Sequence, residues 1–118
     1  MFSERLIEHF KNPRNVGDLA PPAVSVSVSN PACGDLMRLS ARFANGAVAE
    51  VRYQVKGCAA SIAAGSALTE WMAGKTTREL AAAGPAVIED ALGGLSPESR
   101  HAGVLSIDAL RALLRSLS

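Results

Sequence analysis

The stretch MRLSARFANGAVAEVRYQV, residues 37–55, decides the fold. Apolar and polar residues alternate through both of its halves, on either side of Asn45-Gly46. This period-two pattern is typical of strands that have one buried face and one face toward water. The stretch therefore predicts two antiparallel strands joined by a tight turn.

The length of that turn can be derived from the register of the two strands. A loop of only two residues would place side chains of the wet face opposite side chains of the buried face. A three-residue loop over residues 44–46 instead pairs Phe43 with Ala47 and Leu39 with Val51. It also leaves a glycine at the left-handed position that this loop class prefers. We predict the three-residue loop.

The rest of the chain predicts one more strand and several helices. Valine and serine alternate strictly over residues 24–29, which predicts a strand with a partly solvated face. The helical patterns cover residues 3–11, 59–73, 76–83 and 86–92, and a C-terminal helix carries a leucine stripe at positions 110, 113, 114 and 117. The predicted fold class is α+β, with a three-stranded antiparallel sheet packed with about five helices.

The first helix is expected to begin at Ser3, a good N-cap, and to bury one apolar face. Leu6, Ile7 and Phe10 share that face in the predicted helix. His9 lies in the same helix with no cysteine nearby in the sequence, so we assign it a structural role.

Length and composition exclude several classes of protein. The 118 residues are 48% hydrophobic and 19% charged, which predicts one folded domain over residues 1–118. The net charge is +1 without a basic cluster, so nucleic acid is not an expected partner. Neither a signal-peptide pattern nor an apolar run long enough for a membrane span is present, and we expect a cytoplasmic protein without membrane contact.

Four side chains of the metal-ligand type fall at the ends of predicted elements. Cys33 and Asp35 lie on the turn between two strands, Cys58 lies between a strand and a helix, and His101 just precedes the last helix. Two cysteines in a reducing compartment are more often metal ligands or redox groups than a structural disulfide. Two thiolates, an imidazole and a carboxylate provide the four donors that Zn²⁺ or a small iron–sulfur cluster needs.

Each of the four also has a simpler interpretation. A cysteine often behaves as a small buried hydrophobic residue, an aspartate often stabilises its own turn, and a histidine often lies on the surface or at a helix end. The spacing of the four is not that of a zinc finger. The residues alone therefore leave a metal site and a metal-free domain open.

Three longer motifs make the sequence resemble a known family. ERLIEHFKNPRNVG (4–17), NPACGD (30–35) and KGCAASIAAGSALTEWMAGK (56–75) resemble, in order, the IscU/NifU N-terminal type of iron–sulfur cluster assembly scaffold. The resemblance covers nearly the whole chain. It implies a SufE/NifU-like fold and no enzymatic activity on an organic substrate.

The resemblance also implies roles for the four residues. Cys33, Cys58 and His101 would hold a transient [2Fe–2S] cluster or Zn²⁺, and Asp35 would be a ligand that keeps the cluster labile. The family's third cysteine corresponds to Ala102 here, so the ligand set is incomplete. The implied partners are a cysteine desulfurase, apo-acceptor proteins or a carrier, and a second copy of the chain.

Two functions follow as hypotheses. The first is a scaffold or carrier that assembles an iron–sulfur cluster and hands it on. The second is a zinc-binding relative that no longer assembles clusters and interacts with or regulates a desulfurase; Ala102 favours this one. Iron, sulfide and zinc content after reconstitution would distinguish them.

Overall fold

The computed structural model describes residues 2–30 and 34–117. It contains three strands and five α-helices in these residues: α1 (Glu4–Lys11), β1 (Val24–Ser29), β2 (Leu36–Ala44), β3 (Ala47–Lys56), α2 (Ala59–Met72), α3 (Thr77–Ala81), α4 (Pro85–Ala91) and α5 (Arg100–Ser116). A short 3₁₀ turn, Pro97–Ser99, leads into α5. The strands form one antiparallel sheet in the order β1-β2-β3, which confirms the predicted fold class.

The helices cover one face of this sheet. On that face Leu39, Ala41 and Tyr53 are almost completely buried, with α2 packed on β3 and α5 packed on β1 and β2. The opposite face carries serines, arginines and other polar side chains and is more exposed, as the alternation in β1 predicts. Within the described ranges, every helix is too short or too polar to cross a bilayer.

The turn between β2 and β3 differs from our prediction. Ala44 pairs with Ala47, so the loop is the two residues Asn45-Gly46, both with positive φ, as a tight hairpin turn of this type needs. An irregularity between Arg42 and Phe43 then restores the faces, because Ala49 is an extra residue on β3. Leu39 consequently pairs with Tyr53 and not with Val51. The prediction of a three-residue loop was wrong because it assumed that the two strands pair without a bulge.

The buried face of α1 also differs from the prediction. Ser3 caps the helix as expected, accepting a hydrogen bond from the Leu6 N–H at 3.0 Å. Leu6 and His9 are buried, whereas Ile7 and Phe10 are 39% and 43% exposed. The periodicity of apolar residues misses this face because the buried histidine finds a polar partner on α2.

Helix α2 lies very close to the sheet. A Cβ atom on Gly65 would lie 2.4 Å from two ring carbons of Tyr53, so only glycine permits this contact. Most other residues of α2 are small, which allows the same close approach, and ten of its fourteen residues are buried. The first turn of α2 is thereby held at the end of the sheet where β3 stops.

Candidate metal centre

Three of the four predicted ligand residues meet at this end of the sheet. Asp35 directly precedes β2, Cys58 is the N-cap of α2, and His101 lies in the first turn of α5, one residue inside the helix that we expected it to precede. Cys33 lies outside the described residues. The side chains of Asp35, Cys58 and His101 thus arrive from three different elements.

The three donor atoms form a nearly equilateral triangle. Cys58 Sγ lies 3.4 Å from Asp35 Oδ2 and 3.4 Å from His101 Nε2, and these last two atoms are also 3.4 Å apart. Cys58 is exposed, the His101 side chain is 27% exposed and Asp35 is buried. The triangle is therefore open to solvent on the side of the thiol.

A hydrogen bond to the backbone sets the orientation of His101. Its Nδ1 atom lies 2.9 Å from the carbonyl oxygen of Glu98, and because a carbonyl only accepts, Nδ1 must carry the hydrogen. In the neutral ring Nε2 then has a lone pair, which points toward Cys58 and Asp35. Ring orientation by a second hydrogen bond is usual for metal-binding histidines.

Asp35 is held by groups at the start of α2. Ser61 Oγ donates to Asp35 Oδ2 at 2.5 Å, and the backbone N–H of Cys58 also donates to the carboxylate. Burial alone would raise the pKa of the Asp35 carboxyl, but the bonds from Ser61 and Cys58, together with the neighbouring His101, lower that pKa below its ordinary value of 3.8. Asp35 is a carboxylate at neutral pH.

The same carboxylate completes the start of α2. Cys58, the N-cap, makes no side-chain capping bond of its own. Asp35 takes the Cys58 N–H and bonds the side chain at the third helical position, Ser61. Asp35, which lies just before β2, therefore makes part of the hydrogen bonds that a local capping box would make.

Gly57 is needed because the Asp35 carboxylate lies against its backbone. A Cβ atom at position 57 would come within 2.5 Å of Asp35 Cγ and 2.7 Å of Oδ1, far inside van der Waals contact. Sequence reasoning named this glycine only as part of a motif and missed Ser61 completely. The one signal for Ser61 was its place three residues after the N-cap, where side chains often reach back toward a helix start.

The donor set fits one metal ion. Three acceptor atoms face each other, and the one hydrogen available between them is that of the Cys58 thiol. A point equidistant from atoms 3.4 Å apart lies at least about 2.0 Å from each, close to the bonds of about 2.0–2.3 Å that Zn²⁺ makes with O, N and S donors. The triangle is one face of a tetrahedron, and among the described residues no further histidine, cysteine or carboxylate joins the group. Ala102 is fully buried in the core and has no donor atom to offer.

Comparison with known proteins agrees with this reading of the fold and the motifs. The IscU 1 iron–sulfur cluster assembly scaffold protein of Archaeoglobus fulgidus is 39% identical over 111 residues, which are 94% of this chain and 72% of the relative. The IscU scaffold protein of Azotobacter vinelandii is 38% identical over 118 residues, 97% of this chain and 91% of the relative.

A solved structure supports the fold independently. The crystal structure of a nitrogen-fixing NifU-like protein (N-terminal) from Brucella abortus matches with a TM-score of 0.79 at 24% identity, covering 98% of this chain and 92% of that one. Residues 1–116 also match the family described as the NifU-like N terminal domain. The resemblance noted in the sequence is thereby confirmed, and the chain belongs to the NifU-like N-terminal domain family.

Proposed function

We propose that this chain is a scaffold that assembles an iron–sulfur cluster and passes it to acceptor proteins. The observation that carries the proposal is the triangle of lone pairs from Asp35, Cys58 and His101 at mutual distances of 3.4 Å. Two relatives that match almost the whole chain are named as such scaffolds, which supports the same function. Cys33, two residues before Asp35 in the sequence, is proposed as a further ligand.

The proposed source of sulfur is a persulfide on a cysteine desulfurase. Cys58 is exposed, and Nε2 of His101 lies 3.4 Å from its sulfur as a proton acceptor. Cys58 would lose its proton to His101 and attack the outer sulfur of the persulfide; an S–S bond forms on Cys58 while the donor's S–S bond breaks. The proton then returns to the departing donor thiolate. No net oxidation occurs, since the sulfane sulfur only changes its carrier.

The mixed donor set suits a cargo that must leave again. Oxygen and nitrogen donors hold iron less durably than thiolate does, and here Asp35 and His101 are two of the three donors described. Ala102 removes one further thiolate in comparison with the family pattern. A cluster on this chain is therefore expected to transfer readily to an acceptor that supplies more thiolates.

A second candidate function is supported by the size of the triangle. Its 3.4 Å edges fit one tetrahedral ion, and a dinuclear cluster needs further donors for its second iron. The chain would then hold Zn²⁺ and act on a desulfurase without assembling clusters. Zinc content and exchange for iron separate this candidate from the scaffold.

Anaerobic reconstitution tests both functions. The chain is incubated with ferrous iron, cysteine, a desulfurase and dithiothreitol, which reduces the sulfane sulfur to sulfide, and iron, acid-labile sulfide, zinc and visible absorption are measured after desalting. Equal amounts of bound iron and sulfide, lost in Cys58→Ala and retained in Ser106→Ala, support the scaffold. Zinc that iron and sulfide do not displace supports the second candidate. Absence of any bound metal in the unaltered chain overturns both.

A further inference from the structure

Among the described residues, Ser61 is the buried polar side chain that contacts the metal centre without being a proposed ligand. It is fully buried at the third position of α2. Its hydroxyl donates to Asp35 Oδ2 at 2.5 Å and lies 3.5 Å from Cys58 Sγ. The oxygen that it contacts is the same one that forms the triangle with Cys58 and His101.

We propose that Ser61 is a positioning residue that fixes Asp35 Oδ2 at its corner of the donor triangle and thereby sets the metal affinity of the site. This inference rests on the proposed function, because it assigns Asp35 to the metal. Ser61 itself touches no metal in this proposal. It acts through the carboxylate, as groups behind metal ligands generally do.

The contacts around the Asp35 carboxylate show why Ser61 sets its orientation. The backbone of Gly57 blocks movement on one side, and the Cys58 N–H holds the carboxylate from the helix start. The hydrogen bond from Ser61 at 2.5 Å acts on Oδ2 itself and is much shorter than the 3.4 Å contacts of this oxygen with the Cys58 sulfur and His101 Nε2. Since Oδ2 keeps a second lone pair, it can bind a metal without losing this hydrogen bond.

Without the hydroxyl, the buried carboxylate loses its shortest partner. A buried charged group that lacks a hydrogen bond turns toward other donors or toward water. Asp35 would then spend part of its time with Oδ2 outside the triangle, and metal binding would have to restore the orientation at a cost in affinity. The thiol and imidazole donors would stay in place.

The test is a titration of the metal-free full-length chain with Co²⁺ under anaerobic, reducing conditions, followed by visible absorption. The thiolate-to-cobalt band reports Cys58, and its dependence on Co²⁺ concentration gives the affinity. Ser61→Ala is expected to weaken binding about tenfold with the thiolate band retained at saturation. In an Asp35→Ala background, the same substitution should change affinity by no more than about twofold, because there is no carboxylate left to position.

Ser106 provides the matched control. It is also a fully buried serine in a helix, but its hydroxyl donates to the backbone oxygen of Ala102 and does not contact Asp35. Ser106→Ala should bind Co²⁺ within about twofold of the unaltered chain. Ser61→Thr, which keeps the hydroxyl, should restore most of the affinity that Ser61→Ala loses. Circular dichroism of each metal-free variant checks that it is folded.

The outcomes separate this inference from the proposed function. If the unaltered chain binds Co²⁺ and Ser61→Ala weakens binding equally with and without Asp35, Ser61 does not act through the carboxylate and the inference is wrong. Unchanged affinity in Ser61→Ala leads to the same conclusion. If the unaltered chain itself binds no Co²⁺, the metal assignment fails and both are overturned.

Discussion

Two clusters on helix α2 contain the same kinds of side chain but differ in how their hydrogen bonds are satisfied. The site cluster consists of Asp35, Cys58, Ser61 and His101. The α1 cluster consists of His9 and Arg14 from the N-terminal segment with Ser66 and Glu70 from α2. Each cluster therefore contains a histidine, a serine of α2 and a carboxylate.

In the α1 cluster the available hydrogens and lone pairs match. Ser66 Oγ accepts from the Arg14 N–H at 2.9 Å and donates to His9 Nδ1 at 2.7 Å, so that Nε2 carries the other hydrogen toward Glu70, 3.9 Å away. In the site cluster Ser61 donates to Asp35 Oδ2, but between Oδ2, Cys58 Sγ and His101 Nε2 the thiol supplies a single hydrogen for two acceptors. The first arrangement joins two parts of the chain, whereas three lone-pair atoms that face one another favour a cation.

The largest expected effects come from replacing each of the two histidines by alanine. His101→Ala should weaken Co²⁺ binding by a factor on the order of 100 or more because it removes a ligand. His9→Ala should lower the free energy of unfolding by about 2 kcal/mol, since it removes a buried ring and leaves Ser66 without its acceptor. Metal titration and urea unfolding of both variants check this.

Each variant is the control for the other. His101→Ala should unfold within about 1 kcal/mol of the unaltered chain, and His9→Ala should bind metal within about twofold. A loss of metal affinity in His9→Ala as large as that in His101→Ala would show that the two clusters are not independent, and the distinction drawn here would fail.

A methyl group at position 57 should disturb only the site cluster. Gly57→Ala places a Cβ atom 2.5 Å from Asp35 Cγ, so the carboxylate or the backbone must move. We expect about tenfold weaker Co²⁺ binding and a loss of about 1–3 kcal/mol in unfolding free energy. Gly84→Ala is the control, because its Cβ would meet no atom within 4 Å and its φ of −132° suits any residue. Equal effects of the two substitutions would contradict the close contact at Asp35.

The thiol that the family resemblance implies at position 102 can be supplied by Ala102→Cys. Ala102 is fully buried, so a larger side chain should cost about 1–3 kcal/mol in the metal-free chain by overpacking. Once iron and sulfide are present, the added thiolate should leave the core for the metal and lengthen the lifetime of the reconstituted cluster. Decay of the visible absorption in the presence of a chelator measures this lifetime. A lifetime no longer than that of the unaltered chain would mean that a third thiolate is not what limits retention.

The smallest expected effect is the response of the α1 cluster to pH. Burial lowers the pKa of His9 below its ordinary value of 6.5; Arg14 lowers it further, while Glu70 and Glu8 partly oppose the shift. As the pH falls, the unfolded chain therefore binds a proton at His9 at a higher pH than the folded chain does. The stability that neutral His9 contributes is present above pH 6.5 and is lost as the pH falls below 6.5. Urea midpoints at several pH values should show a smaller acid-side decrease in His9→Gln. An identical decrease in both proteins would exclude His9 as its source.

Local patterns in the sequence were sufficient for most of the fold. Alternation located all three strands, the cap at Ser3 located the start of α1, and the predicted range 59–73 gave the end of α2 to within one residue. The hairpin turn was not predictable in the same way, because the bulge at Ala49 leaves the alternation on both sides intact while shifting one strand by a residue. The bulge also shifts the faces before it, because Val48 is buried and Ala49 is exposed, whereas alternation continued back from Val51 would bury Ala49.

The candidate site was predictable as residue types but not as an arrangement. Placement at element ends indicated one shared site for Cys33, Asp35, Cys58 and His101; the structure brings the last three together, and Cys33 lies outside the described residues. Ser61 and Gly57 could not be found this way, because their importance lies in contacts with a residue more than twenty positions away. The same holds for His9, whose burial depends on a hydroxyl of α2.

The start of α2 is completed by Asp35, a residue from outside the helix, and this limits how the site could be used in protein design. Grafting the segment from Gly57 to Ser61 onto another scaffold would transplant a thiol at a helix start but leave behind the aspartate that completes that start. The smallest portable unit is the β2–β3 hairpin with its preceding aspartate and the whole of α2, and the histidine would have to be rebuilt from a separate helix. Metal binding and the beginning of this helix would have to be engineered as one problem.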